Sequence, residues 1–208
     1  YKPGVLAVQN RIDSAGHNFS LQLVNEGIYA DGKKILSALA NAALESHQDT
    51  LLIRHAGFTE EFINNEDGVR QNFIIDAAPQ AAKELQVRLS AKGLKVNKLE
   101  SNALLFYKDN DKGQRMASLV YKDIRCWDAH GKTLPATLSY ADELVRLSVD
   151  VHDAAYPITI DPIIANGNPA NASTSVESNQ AEAWLGGLVA SAGDVNGDGY
   201  SDVLACAS

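Results

Sequence analysis

Apolar and polar residues alternate in short runs along most of this chain. That period of two constrains the fold more than any other feature. Successive side chains of a strand point to opposite faces, so alternation marks one buried and one solvated face. The clearest runs are Phe19-Ser-Leu-Gln-Leu-Val, Thr50-Leu-Leu-Ile-Arg-His, Leu85-Gln-Val-Arg-Leu-Ser and Leu144-Val-Arg-Leu-Ser-Val. Others begin at Val69, Ala103, Ala117, Ile124, Thr137 and Tyr156. Turn formers separate them: Gln48-Asp49, Glu66-Asp67-Gly68, Ala91-Lys92-Gly93, Asp109 to Gly113, and Asp128-Ala-His-Gly131. Short alternating runs with Gly, Asp and Asn turns every ~8–15 residues predict an all-β fold, a β-sandwich-like domain or an open barrel. One stretch, Lys34 to His47, carries helix formers. It reads with a period of 3.6 or of two, and its neighbours favour strand.

Composition narrows the function. The 208 residues carry 18 Lys+Arg against 26 Asp+Glu, a formal net charge of −8. Neutralising nucleic-acid phosphates needs a basic patch, and the chain has no Lys/Arg cluster to form one. No apolar run reaches the length of a membrane span, and no signal-peptide pattern opens the chain. The first residue is Tyr1 rather than Met, which points to a processed or excised chain. Cys126 and Cys206 are too far apart for a zinc or redox pair and are expected as buried free thiols. Residues 163–182 are rich in Asn, Ala and Ser. The expected organisation is therefore a β-sandwich-like domain over residues 1–162, a linker over 163–182, and a separate segment over 183–208.

That last segment carries the strongest chemical signal. Asp194-Val-Asn196-Gly-Asp198-Gly199-Tyr200-Ser-Asp202 has the pattern D-x-N-x-D-G-x-x-D. Oxygen ligands at alternate positions turn inward around a hard cation, Gly permits the bend, and the next residue offers its carbonyl. Asp194, Asn196, Asp198, Asp202 and the Tyr200 carbonyl are thus candidate Ca2+ ligands. An EF-hand needs Glu at the twelfth position and flanking helices. Here the twelfth position is Ala205, and the flanks read as strands.

The stretch from Trp184 to Ser208 resembles one FG-GAP repeat, the unit of integrin-α-type β-propellers and of many secreted bacterial proteins. Trp184-Leu185-Gly186 stands in place of the family's Phe-Gly, and Ala205-Cys206-Ala207-Ser208 in place of Gly-Ala-Pro. The resemblance implies calcium bound at a blade rim by the loop from Asp194 to Asp202. More loosely, residues 1–162 are similar to the β-rich region preceding such arrays, through Gly68-Val-Arg-Gln-Asn-Phe73, Trp127-Asp128-Ala129 and Tyr156-Pro-Ile-Thr-Ile-Asp-Pro162. A propeller needs about 4–8 blades, and this chain holds one partial repeat.

Other chemistries are weaker. Gly131-Lys132-Thr133 resembles the end of a P-loop, but its first Gly position is Cys126 and Pro135 forbids the following helix. His17, His47, His55, His130 and His152 lack ligand spacing and are expected in turns or at the surface. Asp123, Asp128 and Asp161 are expected as solvated turn formers, and Trp127 as a core side chain. No nucleophile elbow is present, and the chain is not expected to be an enzyme. The expectation is an extracellular, bacterial, calcium-binding surface or interaction module that meets a protein partner or itself through β edges. The alternatives are a filament or surface-assembly subunit and an accessory module of a polysaccharide-acting enzyme.

Overall fold

The computed structural model describes residues 2–9, 19–65, 68–78, 82–99, 102–109, 115–166, 188–193 and 202–206. The chain divides into two compact units, Tyr1–Asn171 and Ala172–Ser208.

The first unit is a two-sheet, fully antiparallel β-sandwich, so the all-β expectation holds. One sheet contains β1 (Val5–Gln9), β2 (Ser20–Ala30), β3 (Lys33–Leu36), β8 (Glu84–Lys92), β12 (Ala136–Ala141) and β13 (Leu144–Asp150). Its order is β1-β2-β8-β13-β12, with β3 also paired to β2. The second sheet contains β4 (Ala43–His47), β5 (Thr50–His55), β6 (Phe58–Asn65), β7 (Gly68–Ile75), β9 (Lys95–Leu99), β10 (Ala103–Asp109), β11 (Arg115–Trp127) and β14 (Ile158–Asn166). Its order is β4-β5-β6-β7-β14-β11-β10-β9.

Alternation decides which residues meet between the sheets. Leu21, Leu23, Leu85, Val87, Leu89, Val145 and Leu147 are buried on the first sheet. Phe58, Phe62, Phe73, Phe106, Tyr121 and Ile160 face them from the second, in one continuous core. Each large aliphatic or aromatic side chain so buried contributes about 1.5–3 kcal/mol.

Lys34 to His47 is not helical: it contains β3, a turn and β4. The runs at Ala117 and Ile124 belong to one strand, β11, interrupted by a register shift between Lys122 and Arg125. Asp123 adopts φ 51° there, and the extra residues bend the strand. Pro162 lies opposite this irregularity, where a residue without an N–H breaks no ladder bond. β14 therefore runs through Pro162 to Asn166. Strands β1, β6 and β9 were not evident in the alternation. In β6, Glu60-Glu61 interrupts the apolar pattern.

The second unit is described by β15 (Leu188–Gly193) and β16 (Asp202–Cys206), an antiparallel pair with Leu188 opposite Cys206 and Gly193 opposite Asp202. Among the described residues, no helix is long and apolar enough to cross a membrane.

Candidate functional sites

The candidate calcium residues Asp194, Asn196, Asp198 and Tyr200 lie outside the described residues. Asp202 is described as the first residue of β16, paired with Gly193 at the end of β15. The segment 194–201 therefore joins two paired antiparallel strands. Its donors are carboxylates, an amide and a backbone carbonyl, the hard oxygen set that suits Ca2+. Among the described residues, no group of three or more His, Cys, Asp or Glu side chains is arranged to hold a metal ion.

A different constellation sits inside the sandwich. Glu60, on β6, has a fully buried side chain. Its Oε1 accepts a hydrogen bond from Asn25 Nδ2 at 2.9 Å, and its Oε2 accepts one from the Gly4 N–H at 3.1 Å. His55 Nε2 lies 3.1 Å from the same Oε2. The Leu39 N–H donates to His55 Nδ1 at 2.9 Å. An imidazole nitrogen that accepts carries no proton, so the ring proton is on Nε2 and is donated to Glu60. The ring also stacks on Phe58, with centroids 4.4 Å apart.

Local backbone geometry makes this arrangement possible. β2 shifts register against β8 between Asn25 and Gly27. Asn25 Oδ1 accepts from the Gly27 N–H, and the Asn25 N–H donates to the Gly4 carbonyl. Gly4 has φ +69°, and a Cβ there would lie 2.7 Å from that of Ala38. Glycine is the residue that takes this backbone without strain and lets the chain approach so closely.

Burying a carboxylate costs several kcal/mol unless hydrogen bonds replace its water. Here the Asn25, Gly4 and His55 donors replace it. The group ties β2 and the turn before β1, in one sheet, to β5 and β6 in the other. With both the His55 and Glu60 side chains fully buried, the pair is closed to substrate in this state. Its chemistry is positioning. Beside it, Tyr121 donates to Gln71 Oε1 at 3.3 Å. Burial pushes the Tyr121 phenol well above its ordinary pKa, and the Asp161 and Glu60 carboxylates push it further in the same direction.

Sequence reasoning missed this site and misjudged some of its relatives. His55 is buried rather than at the surface. Asp128, expected as a solvated turn former, is buried. Its Oδ1 accepts from the His130 and Lys132 N–H groups at 2.9 Å, and its Oδ2 from the Ala155 N–H at 3.1 Å. These bonds, the one from Ala155 foremost, hold its carboxyl below the ordinary range. Asp161 is also buried, and both its oxygens accept from Arg70 Nη1 at 2.9 Å. Asp123 is exposed beside Lys122, as expected, but at the irregularity inside β11 rather than in a turn. Cys126 takes the core position expected for Trp127, which is half-buried on the other face of β11. Burial foremost, with the nearby Asp128 charge, pushes the Cys126 thiol up to about 12, so it is an inert core group. One signal could have located Glu60: Phe58, Glu60 and Phe62 share a parity, which puts the carboxylate on the core-facing side.

On the outer face of the first sheet, a groove of about 550 Å³ is lined by Lys83, Glu84, Thr137, Ser148, Asp150 and His152. Glu84 and Asp150 are directly opposite each other on β8 and β13.

The chain matches no family model, no curated protein and no solved structure.

Proposed function

We propose that this protein is an extracellular calcium-binding interaction module, in which a β-sandwich is followed by a partial FG-GAP-type blade. One observation carries the reading: the D-x-N-x-D-G-x-x-D sequence occupies the connection between the paired strands β15 and β16. Asp194, Asn196, Asp198, Asp202 and the Tyr200 carbonyl would hold the ion. Bound Ca2+ supplies positive charge that offsets clustered carboxylates. The chain contributes the oxygen ligands and a hairpin whose two strands, among the described residues, pair only with each other and would offer their outer edges to a protein partner or a second copy.

Terbium, a calcium substitute excited through Tyr200, provides a direct test. Saturable luminescence that millimolar Ca2+ displaces, and that Asp198→Ala abolishes, is the expected result. A chain that takes up neither ion in luminescence or calorimetry refutes the reading.

The second reading, an accessory module for polysaccharide, has the carboxylates Glu84 and Asp150 of the groove in its support, without a Phe, Trp or Tyr among the residues lining it. Oligosaccharide-induced NMR shifts at Thr137 and Ser148 would support it.

A further inference from the structure

We propose that His55 is an acid-released latch, holding the β3–β4 connection against the sandwich only while its Nδ1 carries no proton. The connection spans Ser37 to Ala42 and forms a turn closed by the Ala42 N–H to the Leu39 carbonyl, at 3.2 Å. It meets the body of the sandwich through Ala38, Leu39 and Ala42, the last a core residue only 6% exposed. Ala38 abuts Gly4, and the Leu39 N–H donates to His55 Nδ1.

Adding a proton to the ring acts unequally on its two nitrogens. Nε2–H goes on donating to Glu60, now as a charge-assisted bond, which is stronger. Nδ1 changes from acceptor to donor and confronts the Leu39 N–H, two donors 2.9 Å apart. One side has to yield. The ring is confined by its stack on Phe58 and its bond to Glu60. Leu39, by contrast, is 42% exposed, and its connection leads to the edge strand β4. The connection is therefore the part that moves, while the Glu60–His55 pair stays in place.

The surroundings offer few competing charges. β6 presents Glu60, and β11 presents Tyr121, whose phenol is held neutral by burial and neighbouring carboxylates. The uncharged Gly4, Asn25 and Gln71 complete the group from the turn before β1, from β2 and from β7. Lys34, on β3, reaches Gly27. Arg54 and Glu45 pair with each other at exposed positions. Release would uncover the buried Ala42 beside Leu44, which is already 54% exposed. An acidic compartment would thereby enlarge an apolar edge that is small at neutral pH.

The test is NMR on the intact chain between about pH 7 and pH 5, the interval in which imidazoles change charge. At neutral pH, the His55 nitrogen shifts should report a bare Nδ1 and a protonated Nε2. On acidification, after correction for intrinsic exchange, the Leu39 amide should lose at least tenfold of its protection as the ring gains its second proton. Ile53 and Phe73 amides should keep theirs. His55→Gln can accept from Leu39 and donate to Glu60 without titrating, and should make Leu39 protection independent of pH. Should that variant not fold, the wild-type ring titration and the Leu39 amide decide by themselves. The latch is refuted if the ring becomes doubly protonated with Leu39 still protected. It is equally refuted if the ring stays singly protonated until the protein unfolds, or if Leu39 and Ile53 lose protection together.

Discussion

The sandwich and the β15–β16 hairpin are both antiparallel β-structure, yet they differ in strand number and in the charge carried by their connections. The sandwich closes a six-stranded and an eight-stranded sheet over one continuous apolar core. The hairpin is two strands of six and five residues, joined by a connection that holds Asp194 and Asp198 and ends at Asp202. A two-stranded hairpin is marginal in water, and clustered carboxylates repel one another. Apolar burial works whatever ions are present, whereas an ion-dependent loop is only as stable as the ion is abundant. If the connection binds calcium as proposed, the same secondary structure makes a permanent scaffold in one region and a conditional element in the other.

The largest expected effect comes from breaking the scaffold. Phe73 is fully buried in the core, and Phe73→Ala should cost about 3–5 kcal/mol in urea unfolding. Calcium binding by the hairpin should not depend on that residue. The second test loads the conditional element. If Ca2+ binds with a Kd of about 10⁻⁴–10⁻³ M, as in other extracellular modules, 10 mM should stabilise β15 and β16 by about 1–3 kcal/mol. Amide exchange in those strands would read the gain, EDTA should reverse it, and Asp198→Ala should erase it.

A smaller effect probes the backbone beneath the Glu60 network. Gly4→Ala places a side chain at φ +69° against Ala38 and should cost about 1–2 kcal/mol in the same urea assay. The smallest involves Asp128. Its carboxyl is held below the ordinary range in the folded state. Its contribution is therefore complete above the unfolded carboxyl's pKa and disappears as pH falls through the folded one. Asp128→Asn should flatten that part of the acid limb in thermal melts between about pH 5 and pH 2, while leaving the neutral-pH response to calcium unchanged.

Much of the sandwich was legible because alternation is a local signal. Leu85-Gln-Val-Arg-Leu-Ser and Leu144-Val-Arg-Leu-Ser-Val fall within β8 and β13 and bury the parity they display. The signal weakens where inward positions are polar. β6 has Glu60 between Phe58 and Phe62, and a carboxylate is ordinarily read as exposed. The burial of His55 and Asp128 was hidden for the same reason. His55 bonds to Glu60 and Leu39 on other elements, while Asp128 takes two N–H groups from its own turn, at His130 and Lys132, and a third from the distant Ala155. The calcium motif was readable because its proposed ligands lie within nine consecutive residues, Asp194 to Asp202.

By itself, the sequence determined the all-β character, the inward parity of most strands and a compact set of oxygen donors, since all three depend on residues close in the chain. Tertiary structure alone decided that β14 lies between β7 and β11 and that β2 lies beside β8. It also decided that a glutamate bonded by Asn25, Gly4 and His55 is sealed between two sheets. Long-range pairing is selected by how whole sheets pack together. A buried carboxylate is tolerated only when donors from Asn25, Gly4 and His55 converge on it, a condition that no local pattern can specify.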